Sequence, residues 1–268
     1  VLGIEPASNI AEYANKSGIE TLNEYWSSGL ADGILKEHDR ADAILANNVI
    51  GHVHDLHDFA RGISILLKDG GIAVIQVQYL VNFIERLEYD TIYHEHVSYI
   101  SLHPVMHLFR QYGLQVFDVK RFQNIHGGSI RFYIRKNQGQ EKVVKELIKY
   151  ESNQGFLSKN KYDEFAVKVN NHKIEFKELL ADLKSRGNRI AGYGAAAKAN
   201  TMLNYCGIGQ ETIEYIADKS KYKQGLFTPG THIPVVSPEK ILDDTPDYVV
   251  ILAWNFADEI MEQQKGYK

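Results

Sequence analysis

Cysteine is nearly absent from this sequence, because Cys206 is the only one among 268 residues. A disulfide within the chain is therefore excluded, and so is a zinc site built from several cysteine thiolates. The sequence also lacks a run of about 18 apolar residues, the length that a membrane-spanning helix needs. It carries no signal peptide pattern. We therefore expect a cytoplasmic protein that does not enter a membrane.

An excess of positive charge is lacking too. The sequence has 30 Lys and Arg against 34 Asp and Glu, which gives a formal net charge of −4. This balance provides no general attraction to nucleic acid or to an anionic membrane surface, so neither is expected as a partner. The content of 44% hydrophobic and 24% charged residues is typical of a globular protein. A chain of this length more often forms two hydrophobic cores than one.

The chain also lacks an initiator methionine. It starts Val-Leu-Gly-Ile-Glu5-Pro6, and residues 2–5 have the pattern of a buried strand. We therefore expect a longer parent protein, in which part of any site near the N-terminus lies outside this sequence.

Strand-like and helix-like segments alternate through the first half of the chain. Strands are predicted over residues 1–5, 19–22, 41–47 and 71–77, with helices over residues 7–17, 30–36 and 56–67. This alternation is typical of a parallel sheet covered by helices on both faces. Two further strands, over residues 114–121 and 129–135, follow a helix without another helix between them. They predict an antiparallel hairpin at one edge of the sheet.

A second alternation begins near residue 189. Residues 141–186 have a helical pattern with a break near Asn153-Gln-Gly155. Strands are then predicted over residues 189–194, 212–218 and 247–253, with helices over residues 195–205, 238–242 and 256–264. We therefore expect an α/β protein with domains at residues 1–136 and 189–268, joined by a helical linker over residues 137–188.

Two imidazoles, a carboxylate and two phenols lie within seven residues, Tyr93-His-Glu-His-Val-Ser-Tyr99. They follow a predicted strand and a short amphipathic segment. Such a cluster suits proton transfer, because histidine titrates near neutral pH and its neighbours can orient it. A polar surface loop is about equally expected from this segment alone.

Polar residues also follow other predicted strands. Glu5 ends the first strand, where an acidic residue commonly accepts hydrogen bonds from ribose hydroxyls. Asn47 and His52 follow the strand over residues 41–47, at the same end of the sheet. The several histidines invite a metal interpretation, but the sequence has neither an HExxH pattern nor a cysteine cluster. No bound metal is therefore expected.

Two glycine-containing segments favour the close approach of a ligand. His126-Gly-Gly-Ser-Ile-Arg131 opens a predicted strand, and its glycines suit either a ligand contact or a plain turn. Gly192-Tyr-Gly194-Ala-Ala-Ala-Lys198 runs from a strand into a helix N-terminus, where backbone amides and the lysine favour phosphate. Ala197 stands at the third glycine position of a dinucleotide fingerprint, and an ordinary tight turn is the alternative.

These segments occur in one order with three later ones: Asp218-Lys-Ser-Lys-Tyr-Lys-Gln-Gly225, Pro229-Gly-Thr-His-Ile-Pro234 and Trp254-Asn-Phe-Ala-Asp-Glu259. Over essentially its whole length, the chain resembles the S-adenosylmethionine-dependent sugar C-methyltransferases of deoxysugar pathways. That family begins with a cysteine-based zinc domain, followed by a strand and a glycine-rich loop that hold the cofactor. Neither occurs in this sequence.

The resemblance implies a Rossmann-like class I methyltransferase sheet with an antiparallel edge hairpin, followed by a second, smaller α/β Rossmann-like domain. Residues 1–136 would be the methyltransferase domain, and residues 189–268 would bind the nucleotide sugar. S-adenosylmethionine is the implied cofactor. The implied substrate is a nucleotide-linked 4-keto-deoxysugar, with dTDP as the expected carrier, methylated at C3′ through an enolate.

The resemblance also implies roles for individual residues. His96 would be the base, supported by Glu95 and Tyr93, and His52 would donate to the C4′ oxygen. Cofactor binding would fall to Glu5 and Asn47. The residues implied in substrate binding are Gly194, Lys198, Asn200, His126 and Arg131.

Two other classes of function remain open from the sequence. A nucleotide-sugar oxidoreductase or epimerase would carry a Tyr-x-x-x-Lys pair on a helix or a catalytic cysteine. Tyr215 and Lys219 have that spacing, but Tyr215 lies in a predicted strand, and Cys206 lies away from the other motifs. The chain would alternatively be a non-catalytic fragment that binds a nucleotide sugar.

Overall fold

The computed structural model of the chain describes residues 1–123, 127–137 and 139–267. These residues form two compact units. The first comprises Val1–Val81 and Val97–Phe156, and the second comprises Asn82–His96 and Leu157–Lys268. The division into residues 1–136, 137–188 and 189–268 stays a prediction about functional parts. The compact units of the structure have different bounds. One reason is that residues 82–96 pack with the C-terminal residues.

The first unit contains short helices and two sheets. Its strands are β1 (Gly3–Ile4), β2 (Thr21–Leu22), β3 (Ala41–Asn47), β4 (Leu67–Gln78), β5 (Leu114–Phe122) and β6 (Ser129–Lys136). Its helices are α1 (Ser8–Lys16), α2 (Ser28–Ile34), α3 (Leu56–Leu66), the start of α4 (Leu80–Glu85), α5 (Leu102–Arg110) and α6 (Lys142–Asn153). Side-chain oxygens cap two of the helices, Ser27 accepting from the Leu30 amide at 3.0 Å and Asp55 from the Asp58 amide at 2.9 Å.

The strands of the first unit are mostly parallel, with a hairpin at one edge. β1 pairs with β2 in parallel, and β3 pairs with β4 in parallel. The order of the larger sheet is β3-β4-β6-β5, in which β6 runs antiparallel to both of its neighbours. The edge hairpin expected from the sequence is confirmed. The single sheet expected before it is divided in two, because no pairing joins β1 to β3 among the described residues.

The second unit contains the other helices and one parallel sheet. Its helices are α7 (Lys159–Ser185), α8 (Ala197–Cys206), α9 (Glu239–Asp244) and α10 (Ala257–Gln263), and its strands are β7 (Ile190–Tyr193), β8 (Ile216–Ala217), β9 (Val235–Val236) and β10 (Tyr248–Ile251). Two 3-10 turns, Tyr89–Thr91 and Trp254–Phe256, belong to it as well. Gly207, at a φ of 65°, ends α8 in the left-handed conformation that commonly closes a helix.

The sheet of the second unit has the order β10-β7-β8-β9, with all strands parallel. From β7 the chain passes to β8 and then to β9 on one side, and it returns to β10 on the other side of β7. The strand order thus reverses between β7 and β10, and ligands of open α/β sheets bind at such a switch point. A second α/β domain was expected from the sequence and is confirmed, although the two-residue strand β9 was not predicted.

Both faces of this second sheet are covered by apolar side chains. One buried cluster includes Ile190, Leu203 and Ile216, and another includes Tyr193 and Ile260. This packing fixes the carboxyl ends of β7 and β10, where the polar side chains of the unit gather.

Candidate active site

A close approach of backbone defines the switch point of the second unit. Gly194 follows β7 with a φ of 95°, a region that residues with a side chain rarely adopt. A Cβ atom at this position would lie 2.6 Å from the Cβ of Ala253, which follows β10. Only glycine therefore lets the ends of the two strands come this close.

Lys198 bridges the two sides of the switch point. It lies in the first turn of α8, and its ammonium group donates to the Asn255 Oδ1 at 2.6 Å. The same Nζ lies 4.4 Å from the centre of the Trp254 ring, a cation–π geometry. Burial lowers the pKa of Lys198, while the negative charges of Asp90 and Glu88 act in the opposite direction. A lysine here offers a positive charge at a helix N-terminus, the arrangement that favours a phosphate group.

Asp90 is a buried carboxylate beside this lysine. It is 3% exposed and accepts a hydrogen bond from the Trp254 indole Nε1 at 2.7 Å. Burial raises the pKa of Asp90, and the indole hydrogen bond and the charge of Lys198 oppose that rise. Trp254 is thus held at its N–H edge by a carboxylate and on its face by an ammonium group.

His96 is held with one nitrogen oriented for proton transfer. Its Nδ1 lies 2.9 Å from the backbone carbonyl oxygen of Thr91. Since a carbonyl only accepts hydrogen bonds, Nδ1 carries the proton and the neutral ring has its lone pair on Nε2. That Nε2 lies 3.1 Å from the Tyr93 hydroxyl, and the two ring centres are 4.2 Å apart.

Tyr93 remains protonated beside this histidine. Burial raises the pKa of the phenol, and the negative charges of Glu95 and Asp90 raise it further. The hydroxyl can therefore donate to Nε2 of His96, or accept from it once the ring has taken a proton. Glu95 itself is exposed, and its negative charge acts on the Tyr93 phenol.

Asn200 supplies a further polar atom on α8, two residues after Lys198. Its Oδ1 is buried without a hydrogen-bond partner among the described residues. A buried acceptor of this kind is costly unless something satisfies it. Of the predicted substrate-binding residues, Gly194, Lys198 and Asn200 thus belong to one unit with His96 and Tyr93.

The predicted cofactor residues belong to the first unit. A cavity of about 1020 Å³ is lined by Glu5, Asn48 and His52, together with apolar residues of β1 and β3 such as Ile4 and Ile44. Glu5 accepts from the Ala7 amide through Oε1 at 2.8 Å, which leaves capacity on its carboxylate for further donors. Asn47 ends β3, and the side chain that lines the cavity is that of its neighbour.

The Arg131 side chain makes its contacts within the larger sheet of the first unit. Its guanidinium donates to the Gln76 Oε1 at 3.0 and 2.7 Å and lies over the Phe122 ring at 4.7 Å. These contacts join β6 to the strands on either side of it. The prediction for His126 lies outside the described residues.

The structure adds four residues that the sequence interpretation did not select: Asp90, Trp254, Asn255 and Asn48. Trp254 begins one of the segments noted above, and Asp90 lies three residues before another. Their contact joins residues 164 positions apart and has no signal in the sequence. Asn48 adopts a φ of 55°. Asparagine is enriched in that region, so an Asn-Asn pair after a strand is a usable signal.

In residues 1–123, 127–137 and 139–267, no group of three or more His, Cys, Asp or Glu side chains is placed to hold a metal ion. In the same part of the chain, no helix has the length and apolar character needed to cross a membrane.

Both halves of the chain match known protein families. Residues 124–268 match the family model of the C-methyltransferase C-terminal domain, and residues 3–119 match a methyltransferase domain model. A curated relative, the C-methyltransferase NovU of Streptomyces niveus, is 35% identical over 270 residues. That match covers 100% of this chain and 64% of NovU, so the chain spans less than two thirds of the relative.

Solved structures overlap with about half of the chain. A methyltransferase from Thermotoga maritima, described as a possible histamine N-methyltransferase, is 22% identical with a TM-score of 0.38. It covers 49% of this chain and 71% of its own. The N-methyltransferase NodS of Bradyrhizobium japonicum, in complex with S-adenosyl-L-homocysteine, is 13% identical with a TM-score of 0.37, covering 51% of this chain and 66% of its own.

Proposed function

Because this chain belongs to the C-methyltransferase family, we propose that it acts in S-adenosylmethionine-dependent methylation of a sugar carbon. The proposed substrate is a nucleotide-linked 4-keto-deoxysugar, with dTDP as the carrier and C3′ as the methylated carbon. The observation that supports this most is the orientation of His96, whose Nδ1 faces the Thr91 carbonyl and whose Nε2, 3.1 Å from the Tyr93 hydroxyl, carries the lone pair.

The proposed chemistry begins with proton abstraction. A keto group at C4′ acidifies the C3′–H bond, so that Nε2 of His96 can take this proton and an enolate forms on the sugar. The electron pair of the enolate then makes the new carbon–carbon bond. Bound S-adenosylmethionine would supply the methyl group from its sulfonium and leave as S-adenosylhomocysteine.

Tyr93 has a supporting role in this proposal. It accepts a hydrogen bond from the imidazolium once His96 has been protonated, which stabilises the charged ring. The raised pKa of the phenol keeps Tyr93 from competing as a base. Glu95 contributes its negative charge to the same step.

Glu5 is a proposed cofactor contact, and His52, a proposed catalytic residue, lines the same cavity. The cavity that they line, about 1020 Å³, is at the upper limit of ligand sites, which run from about 300 to 1,000 Å³. A carboxylate at the end of a parallel strand suits ribose hydroxyls. Asn47 and its neighbour Asn48 stand at the end of β3, and His52 keeps its proposed role as a donor to the keto oxygen.

The nucleotide diphosphate is assigned to the switch point of the second unit. Lys198 would pair with the phosphates, and Gly194 gives the backbone room to approach them. The buried Oδ1 of Asn200 would accept from a donor group of the nucleotide sugar, such as a hydroxyl. Arg131 and His126 remain proposed substrate contacts, and the former donates to the Gln76 Oε1.

Deuterium exchange tests the base directly and does not require the cofactor. In D₂O, the chain should exchange the C3′ hydrogen of a dTDP-4-keto-6-deoxysugar, measured by NMR or mass spectrometry. His96→Asn should lower the exchange rate by about 10²–10⁴-fold, the usual contribution of a general base. The matched control is His94→Asn, since His94 is exposed two residues away. Equal rates in His96→Asn and the wild type would refute the base assignment.

The alternative of a nucleotide-sugar oxidoreductase or epimerase is less well supported. Tyr215 is buried and its hydroxyl donates to the Lys240 carbonyl at 3.4 Å, whereas Lys219 pairs with Glu259 at 3.2 Å. Burial raises the pKa of Tyr215 to about 12. A catalytic Tyr–Lys pair needs the lysine to lower that pKa, so these two residues are not arranged as one. A fragment that only binds nucleotide sugars would show affinity without exchange.

A further inference from the structure

We infer that Asp90 is a positioning residue, which fixes His96 through the Tyr89–Thr91 turn by its hydrogen bond with Trp254. The inference rests on the proposed role of His96 as a base. It concerns the residues that hold the base in place, whereas the proposal above concerns the base itself.

The burial of Asp90 calls for an explanation. The carboxylate is 3% exposed, and burying such a group is unfavourable unless it is hydrogen-bonded and paired. Its partners are the indole N–H of Trp254 at 2.7 Å and the nearby charge of Lys198. An apolar side chain would be buried at this position with a smaller free-energy penalty. We therefore attribute the presence of the carboxylate to its contact with Trp254.

The turn that carries Asp90 also carries the acceptor for His96. Thr91, the next residue, receives Nδ1 of His96 on its carbonyl at 2.9 Å and also the Tyr93 amide at 3.2 Å. A shift of the turn therefore moves the atom that selects the tautomer of His96. Misplacement of a catalytic group by about 1 Å can lower a rate roughly 10²-fold.

Other contacts fix the turn on its second side. The Tyr89 hydroxyl lies 3.1 Å from Nδ1 of His172 on α7, and Thr91 Oγ1 donates to the Glu88 carbonyl at 2.8 Å. These contacts hold the start of the turn to α7 and to its own backbone. The contact between Asp90 and Trp254 ties the turn to the segment that follows β10, beside Lys198. The base and the proposed phosphate contact thus share one anchor.

Three variants separate the hydrogen bond from the charge. Asp90→Asn keeps an oxygen that can accept from the indole but removes the negative charge, whereas Asp90→Ala removes both. Trp254→Phe keeps a ring under Lys198 and removes the donor. The matched control is Asp243→Asn, because Asp243 is an exposed carboxylate of the same unit.

Long-range ¹H–¹⁵N spectra of the ¹⁵N-histidine-labelled chain report the tautomer of His96 without any turnover. We expect the Nδ1–H form in the wild type, in Asp90→Asn and in Asp243→Asn. A mixture of tautomers is expected in Asp90→Ala and Trp254→Phe. An unchanged His96 pattern in both of the latter would overturn the inference. Trp254→Phe decides the question if Asp90→Ala does not fold.

Deuterium exchange at C3′ then separates this inference from the proposed function. Asp90→Ala should lower the exchange rate at saturating sugar nucleotide by about 10- to 100-fold, and Asp90→Asn should restore most of it. If the wild type exchanges no deuterium while the tautomer still changes in Asp90→Ala, the proposed reaction fails and the positioning of His96 stands. If the wild type exchanges and Asp90→Ala matches it in both measurements, the positioning role fails.

Discussion

Replacing Gly194 by alanine tests how closely the ends of β7 and β10 must approach. The new methyl group would lie 2.6 Å from the Cβ of Ala253 and 3.1 Å from its backbone nitrogen, and the residue would keep a φ of 95°. Left-handed backbone costs a residue with a Cβ about 1–2 kcal/mol, and overpacking costs about 1–3 kcal/mol. The sum is about 2–5 kcal/mol, a large part of the roughly 5–15 kcal/mol that stabilises a typical domain.

A second glycine separates the two contributions. Gly187, after α7 in the same unit, has a φ of 82° with no atom within 4 Å of a built Cβ. Gly187→Ala should therefore lose only the backbone term, about 1–2 kcal/mol. The double variant Gly194→Ala/Ala253→Gly should recover much of the steric term, because the methyl group in contact is removed.

Urea unfolding measures these changes. The second unit can be followed by the fluorescence of Trp254 in a Trp26→Phe background, since these are the two tryptophans of the chain. Equal losses in Gly194→Ala and Gly187→Ala would refute the argument from close approach. So would a double variant no more stable than Gly194→Ala alone.

Three further predictions concern charge and burial. Lys198→Met should weaken dTDP binding by at least about 10-fold in calorimetry, since a hydrogen bond to a charged group contributes about 1.5–3 kcal/mol. The control is Lys221→Met, because Lys221 is exposed. An equal loss of affinity in this control would contradict a specific contact of Lys198. The affinity for dTDP should also fall as the pH rises, and the fall should start below the ordinary lysine pKa of 10.5. The reason is that burial lowers the pKa of Lys198 and only the protonated form pairs with phosphate. The same pH profile in Lys198→Met would disprove this. Glu151→Ala should destabilise the first unit by about 3–5 kcal/mol in urea unfolding, because this fully buried carboxylate accepts from the Tyr79 hydroxyl at 2.7 Å and the Leu102 amide at 2.8 Å. A loss below about 1 kcal/mol would show that the network contributes little to stability.

The sequence predicts those parts of the fold that local patterns specify. The hairpin was predicted because no helical segment separates residues 114–121 from residues 129–135, and strands adjacent in sequence pair readily. The strand Val235–Val236 was not predicted, because two residues after Pro234 have no periodicity. They form a strand because they pair with Ile216–Ala217.

The same distinction applies to the candidate site. Tyr93 and His96 are three residues apart, so their contact follows from local spacing. The contact of Asp90 with Trp254 spans 164 positions and depends on tertiary packing. The orientation of His96 also depends on a backbone carbonyl, which is present at every residue and therefore gives no signal in a sequence.

The outer strand of the larger sheet in the first unit affects how the isolated chain behaves in solution. Among the described residues, β3 pairs only with β4, and Leu45 on it is 70% exposed. A strand edge with free amides and carbonyls beside an exposed apolar side chain is a template for the edge of another molecule. Self-association through this edge should increase with protein concentration, and light scattering would detect it. A charged residue in place of Leu45 should suppress the association without touching the second unit.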